Sequence, residues 1–183
     1  MTSITRDPLL AIAKGVLWFL MGSMLLGAAA CLVAIPGMHL FQDKITVQIA
    51  NEAPNLALPQ FLWVVTGILA CVTALLLILF RVFLLLKRIV DTVGQGDPFV
   101  PENATRLTQM AWLSLAMQIM SVMIGGVADW IEKTAEHGVD GDLQIHIDGG
   151  FAGNGLLLML ILFILARVFR QGAAMRAELE NTV

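Results

Sequence analysis

The chain has 183 residues, of which 58% are hydrophobic and only 14% are charged, with a formal net charge of −3 at pH 7. Soluble domains contain roughly 45–50% apolar and about 25% charged residues, so this composition indicates a membrane protein. The lack of a basic surplus argues against direct binding to nucleic acid. The two cysteines, Cys31 and Cys71, lie in apolar stretches without the spacing of a metal or redox motif.

Four apolar stretches are long enough, or nearly so, to cross a bilayer as helices. The hydrocarbon core is about 30 Å thick and needs about 20 helical residues, and helices satisfy their own backbone groups in lipid. We therefore predict an all-α membrane protein, with one integral domain over residues 1–183 and four transmembrane helices in a bundle. The predicted spans are at about residues 15–38, 61–86, 107–128 and 150–169.

The distribution of lysine and arginine predicts the orientation of these spans. Nine of the 11 basic residues fall on one face of the membrane, namely Arg6, Lys14, Arg81, Lys87, Arg88, Arg106, Arg167, Arg170 and Arg176. Because basic residues concentrate in cytoplasmic segments, we predict that both termini are cytoplasmic. The loop 87–106 and the tail 170–183 are then cytoplasmic, and the loops 39–60 and 129–149 are outside.

Each outer loop contains a segment in which apolar and polar residues alternate, KITVQIA at residues 44–50 and DLQIHID at residues 142–148. Period-two alternation predicts a half-buried strand. The second and fourth spans both end in RVF, which suggests two copies of a span–strand–span unit with the same direction in the membrane. We therefore predict a small extracytoplasmic β cap of two antiparallel strands. The segment 127–138 is predicted to extend the third span as a helix that Gly138 stops.

The loop GQGDPFVPENATRL, residues 94–107, connects the second and third spans. Gly94 and Gly96 are predicted to end the preceding helix, and Asp97-Pro98 favours a turn. Pro101 suits the first turn of the next helix, where its missing N–H has no consequence. One interpretation is an efficient hairpin between two spans, and the other is a surface that docks a partner. The candidate docking residues are Asp97, Pro98, Phe99, Glu102, Asn103 and Arg106.

The run GDPFVPENATRL resembles the signature of a bacterial four-span family known as domain of unknown function 2975, as does the acidic ending AELENTV at residues 177–183. The matching positions are Pro98, Phe99, Glu102, Asn103, Arg106 and Leu107. The chain departs from the family at Val100, where relatives often have a serine or threonine that would cap the following helix. The resemblance implies a bacterial cytoplasmic (inner) membrane and no established activity. Genes of the family often lie beside small helix-turn-helix regulators, which hints at regulation.

The span centres carry few groups that could perform chemistry. Arg81 and Arg167 lie near the cytoplasmic ends of their spans, where an arginine can reach the lipid phosphates or, alternatively, take a paired or gating role. The outer histidines, His39, His137 and His146, lie among acidic residues and are interpreted either as part of a solvated loop or as a cation or pH sensor. No nucleophile elbow, phosphate loop or metal spacing is present, so we expect no enzyme, cofactor or metal.

These observations favour a non-catalytic regulatory or interaction protein that acts through its cytoplasmic loop and tail. Its expected partners are the lipid bilayer, a cytoplasmic regulatory protein and a second copy of the chain in a homo-oligomer. The alternative is a subunit of an oligomeric channel or transporter for a small solute, with the pore between protomers. Four spans with so few polar residues do not easily enclose a water path alone.

Overall fold

The computed structural model describes residues 8–41, 58–135 and 153–180, and these form four long helices. Helix α1 spans Pro8–Leu40, α2 spans Leu58–Gly94, α3 spans Pro101–Ala135 and α4 spans Gly153–Glu180. All four are long and apolar enough to cross a membrane. Within these residues the structure is helical, and the prediction of four transmembrane helices is confirmed. The predicted strands at residues 44–50 and 142–148 lie outside the described residues, and so does the predicted stop at Gly138.

The helices extend beyond the spans that the apolar stretches predicted. Helix α2 has 37 residues, which corresponds to about 55 Å of helix against about 30 Å of hydrocarbon. It continues past the predicted end of the second span, and Lys87 and Asp91 form an ion pair at 3.7 Å one turn apart on the surface of this continuation. Helix α3 continues in the same way through the predicted extension of the third span, as far as Ala135.

The helices pack in chain order, α1 against α2, α2 against α3 and α3 against α4. The chain thus forms two helical hairpins that are joined through α2 and α3. We call the end of the bundle that carries the loop between α2 and α3 the loop end. The buried apolar cluster of the fold lies toward this end, on α2, α3 and α4, and consists of Leu85, Ile89, Leu107, Met110, Ala111, Leu162 and Ala166.

Small residues let the helices approach closely within this cluster. Ala111 and Ala166 are both buried, and small side chains at a helix interface bring the two backbones together in a membrane protein. Many large apolar side chains elsewhere on the helices are exposed, among them Phe19, Leu26 and Leu160. Lipid chains cover such side chains in a bilayer, so the fold is most tightly packed just beneath the loop.

Candidate functional site

The end of α2 is closed by a helix-stop motif centred on Gly96. Gly96 has a φ of +84°, a conformation that glycine adopts without strain. Its N–H donates to the Val93 carbonyl at 3.0 Å, and the N–H of Asp97 donates to the Thr92 carbonyl at 3.1 Å. These two bonds form a Schellman motif, which satisfies carbonyls that the helix end would otherwise leave open. The predicted helix stop is confirmed, with Gly94 as the last helical residue and Gly96 as the glycine that the turn requires.

The start of α3 is organised without a capping hydroxyl. Pro101 is the first helical residue, as its fixed φ and missing N–H favour. The N–H of Asn103 donates to the backbone carbonyl of Val100 at 3.0 Å. A backbone carbonyl therefore accepts one of the free N–H groups at the helix start, where a serine or threonine side chain would accept it in other proteins.

Asn103 connects α2, the loop and α3 through its buried side chain, which has 0% exposure. Its amide nitrogen donates to Thr92 Oγ1 at 2.7 Å and to the Pro98 carbonyl at 3.0 Å. Its amide oxygen accepts a hydrogen bond from Arg106 Nη1 at 2.7 Å. The Thr92 hydroxyl in turn donates to the Ile89 carbonyl at 2.8 Å, which leaves its oxygen free to accept from Asn103. The Asn103 amide group and the Thr92 hydroxyl are therefore fully engaged in this network.

The loop is also attached to α4. The rings of Phe99 and Phe169 lie 5.4 Å apart between centroids. Phe99 packs where Gly172 has no side chain, and a Cβ at residue 172 would lie only 2.6 Å from Phe99 Cδ1. Asp97 and Arg176 form an ion pair beside this contact. The loop therefore connects the ends of α2, α3 and α4 through packing and polar contacts.

An ion-pair cluster joins α1 to the same end of the bundle. Lys14 Nζ lies 2.8 Å from Asp91 Oδ1, and Lys87 Nζ lies 5.2 Å from the centroid of the Trp18 ring. Asp91 forms ion pairs with both lysines, since Lys87 Nζ lies 3.7 Å from Asp91 Oδ2. Contacts of this kind at a partly exposed surface contribute roughly 0.2–1 kcal/mol each, so they orient α1 more than they stabilise it.

The structure brings most of the predicted docking residues into one assembly, but it gives them different environments. Asn103 is buried, Asp97 is ion-paired and Arg106 bonds to Asn103, whereas Phe99 and Glu102 are exposed. A partner that docks on the loop would contact the exposed residues, and Asn103 would act by holding the loop in shape. Arg81 and Arg167 lie outside this assembly, exposed on α2 and α4.

Sequence reasoning missed three residues of the assembly, Thr92, Gly172 and Arg176. Thr92 is a polar residue near a helix end, and Gly172 is a small residue within α4. Their roles depend on contacts with residues that are distant in the sequence, so no local pattern marks them. The outer histidines are mostly undescribed. Only His39 lies in a described segment, where its ring packs on Trp63 at 5.9 Å.

A comparison with protein families identifies the family that contains this loop. The family described as "Protein of unknown function (DUF2975)" matches residues 44–183. The chain belongs to this family. The resemblance predicted from the loop signature is confirmed, and the matched region includes α2, α3, α4 and the whole loop. Neither the curated proteins nor the solved structures gave a match. The chain is thus a multi-pass membrane protein of a family of unknown function.

Proposed function

We propose that this protein is a non-catalytic interaction protein of the bacterial inner membrane, with its loop end in the cytoplasm. A cytoplasmic regulatory protein would bind there, on an apolar stripe formed by Phe99, Met175 and Leu179. The orientation rests on the basic residues, which concentrate at the loop end. The non-catalytic part is supported by the predicted spans, whose only charged residues, Arg81 and Arg167, lie toward the loop-side ends of their spans.

The observation that carries the proposal is that two large apolar side chains of α4 are exposed beyond Arg167 and Arg170, the basic residues expected at the membrane surface. Met175 is 60% exposed and Leu179 is 70% exposed. They follow Gly172 at spacings of three and seven residues, so they share its face of α4, and Phe99 packs on that face. Met175 and Leu179 lie about 8 and 14 Å along the helix past Arg170, beyond the depth at which lipid chains cover apolar groups.

The charge around the stripe indicates what kind of partner fits it. Glu178 lies three residues after Met175 on α4, and Glu102 is exposed three residues after Phe99. An apolar helix face with acidic neighbours matches a partner with an apolar groove and a basic rim. The contact of Phe99 with Phe169 and the ion pair of Asp97 with Arg176 fix the stripe relative to the bundle. This reduces the conformational entropy that would otherwise be lost on binding.

Photo-crosslinking in cells tests this proposal. We expect a photoreactive residue at Leu179 to give one discrete adduct with a cytoplasmic protein, and the same residue at Leu160, on the lipid-facing part of α4, to give none. Charge reversal by Glu102→Lys should lower the adduct yield at Leu179 several-fold, because the complementary rim of the partner is repelled. An adduct only with a second copy of this chain, or no adduct at Leu179, would contradict the proposal.

A further inference from the structure

A groove between α3 and α4 lies on the side of the bundle that faces the surrounding lipid, close to the loop end. It encloses about 510 Å³ and is lined by Thr108, Phe163, Ala166, Arg167, Arg170 and Gln171. This groove is separate from the contacts that hold the loop. It is large enough to take a phosphate group together with part of an acyl chain.

The groove changes from apolar to basic along the helix axis. Phe163 lies at its deep end and Arg170 lies seven residues further on, about 10 Å nearer the helix end. Trp112 of α3 meets Phe163 edge to face at 5.8 Å between ring centroids, and it is 60% exposed. A tryptophan with one side toward lipid is typical of the membrane interface. The apolar part of the groove therefore faces hydrocarbon and the basic part faces the headgroups.

The two arginines of the groove lack a partner within the described helices, where no hydrogen bond or ion pair engages either guanidinium. Arg106 and Lys14, near the same end, are both bonded. Arg167 and Arg170 are three residues apart, so their side chains project from the same face. Two unpaired cations at the edge of the hydrocarbon attract an anion, and a guanidinium binds phosphate in a bidentate manner.

We propose that this groove binds the phosphate group of an anionic phospholipid. Arg167 and Arg170 hold the phosphate, the Gln171 amide donates to the headgroup, and an acyl chain lies along Phe163 and Trp112. The Thr108 hydroxyl donates to the Ala104 carbonyl at 2.9 Å, so it is not a donor to the ligand. A free phosphate ion shares the chemistry of the basic part, but it would leave the apolar part uncovered. Basic pockets between transmembrane helices are suited to anionic headgroups.

The experiment titrates the purified full chain with lipid and counts bound molecules by native mass spectrometry. Phosphatidylglycerol is compared with phosphatidylcholine and with inorganic phosphate as a competitor. We expect wild-type protein to retain phosphatidylglycerol in preference to phosphatidylcholine. The double variant Arg167→Gln/Arg170→Gln should bind phosphatidylglycerol roughly tenfold more weakly or worse, because two charge-assisted contacts are lost.

The variant Arg88→Gln is the control, since it removes one positive charge from an exposed position on α2 outside the groove, and it is compared with the single variants Arg167→Gln and Arg170→Gln. It should keep the wild-type preference for phosphatidylglycerol. Equal weakening in Arg88→Gln and in the single groove variants would overturn the proposal, because it would indicate a diffuse electrostatic attraction. Displacement of the lipid by inorganic phosphate at equal concentration would identify a free phosphate site and would also overturn it. Neither outcome bears on the apolar stripe of Phe99, Met175 and Leu179 or on the partner proposed for it.

Discussion

Substitution of Asn103 by leucine is expected to destabilise the protein by roughly 3 kcal/mol, because each buried polar group left without a partner costs about 1–3 kcal/mol. Leucine removes the donor to Thr92 Oγ1 and the Pro98 carbonyl, and it removes the acceptor of Arg106. Asn103 has no exposed surface, so water does not replace these bonds without opening the loop. Thermal unfolding in nanodiscs, followed by circular dichroism, measures the change.

Two further variants separate the hydrogen bonds from the loss of a polar side chain as such. Asn103→Asp keeps the shape and the acceptor for Arg106 but turns the donor into a second acceptor, opposite Thr92 Oγ1 and the Pro98 carbonyl. It should destabilise the protein as well. Glu102→Gln, at the exposed neighbouring position, should leave stability within about 0.5 kcal/mol of the wild type. If Asn103→Leu unfolded at the same temperature as Glu102→Gln, the result would show that the network does not hold the loop.

Substitution of Gly172 by alanine is expected to displace Phe99 and to destabilise the protein, because an overpacking cost of about 1–3 kcal/mol exceeds most of the gain of up to about 1 kcal/mol that alanine has over glycine in a helix. The added Cβ would lie 2.6 Å from Phe99 Cδ1 and 2.9 Å from its Cε1. Both atoms belong to a rigid ring that already packs against Phe169. The ring therefore has to leave its place or α4 has to move. The free energy of unfolding is again the measured quantity.

A double-mutant cycle assigns this effect to the contact. In a Phe99→Ala background the ring is absent, so Gly172→Ala should cost little further stability, and the two changes should be strongly non-additive. Gly22→Ala in α1 is the control, because a Cβ there meets nothing within 4 Å. It should cause no loss, since alanine favours the helix over glycine. Additive effects of the Phe99 and Gly172 substitutions would argue against the packing described for the loop.

The sequence predicted those features that depend on local physical chemistry. The four spans follow from runs of apolar residues, and the stop at Gly96 follows from the conformational freedom of glycine. Pro101 at the first position of α3 is likewise a local preference. Even the helical extension of α3 to Ala135 could be predicted from its own residues. Each of these features is decided within about one turn of helix or loop.

The features that could not be predicted depend on contacts between distant parts of the chain. Asn103 was identified through a family signature, but its burial and its bond to Thr92 require the ends of α2 and α3 to meet. Gly172 lies 73 residues from Phe99 along the chain, and only the packing of α4 reveals why a side chain is excluded there. Val100 is a similar case. It lacks a capping hydroxyl, and its residue type does not reveal that its backbone carbonyl accepts from the Asn103 N–H instead.

The central claim, that the loop between α2 and α3 faces the cytoplasm, is tested most directly by cysteine labelling. In a background with Cys31→Ala and Cys71→Ala, single cysteines are placed at the exposed Gln95 and, as the comparison, at Asn51 in the predicted outer loop 39–60. We predict that a membrane-impermeant maleimide labels residue 51 in intact cells and labels residue 95 only after the membrane is permeabilised. Labelling of residue 95 in intact cells, with residue 51 protected, would contradict the orientation and the docking surface that depends on it.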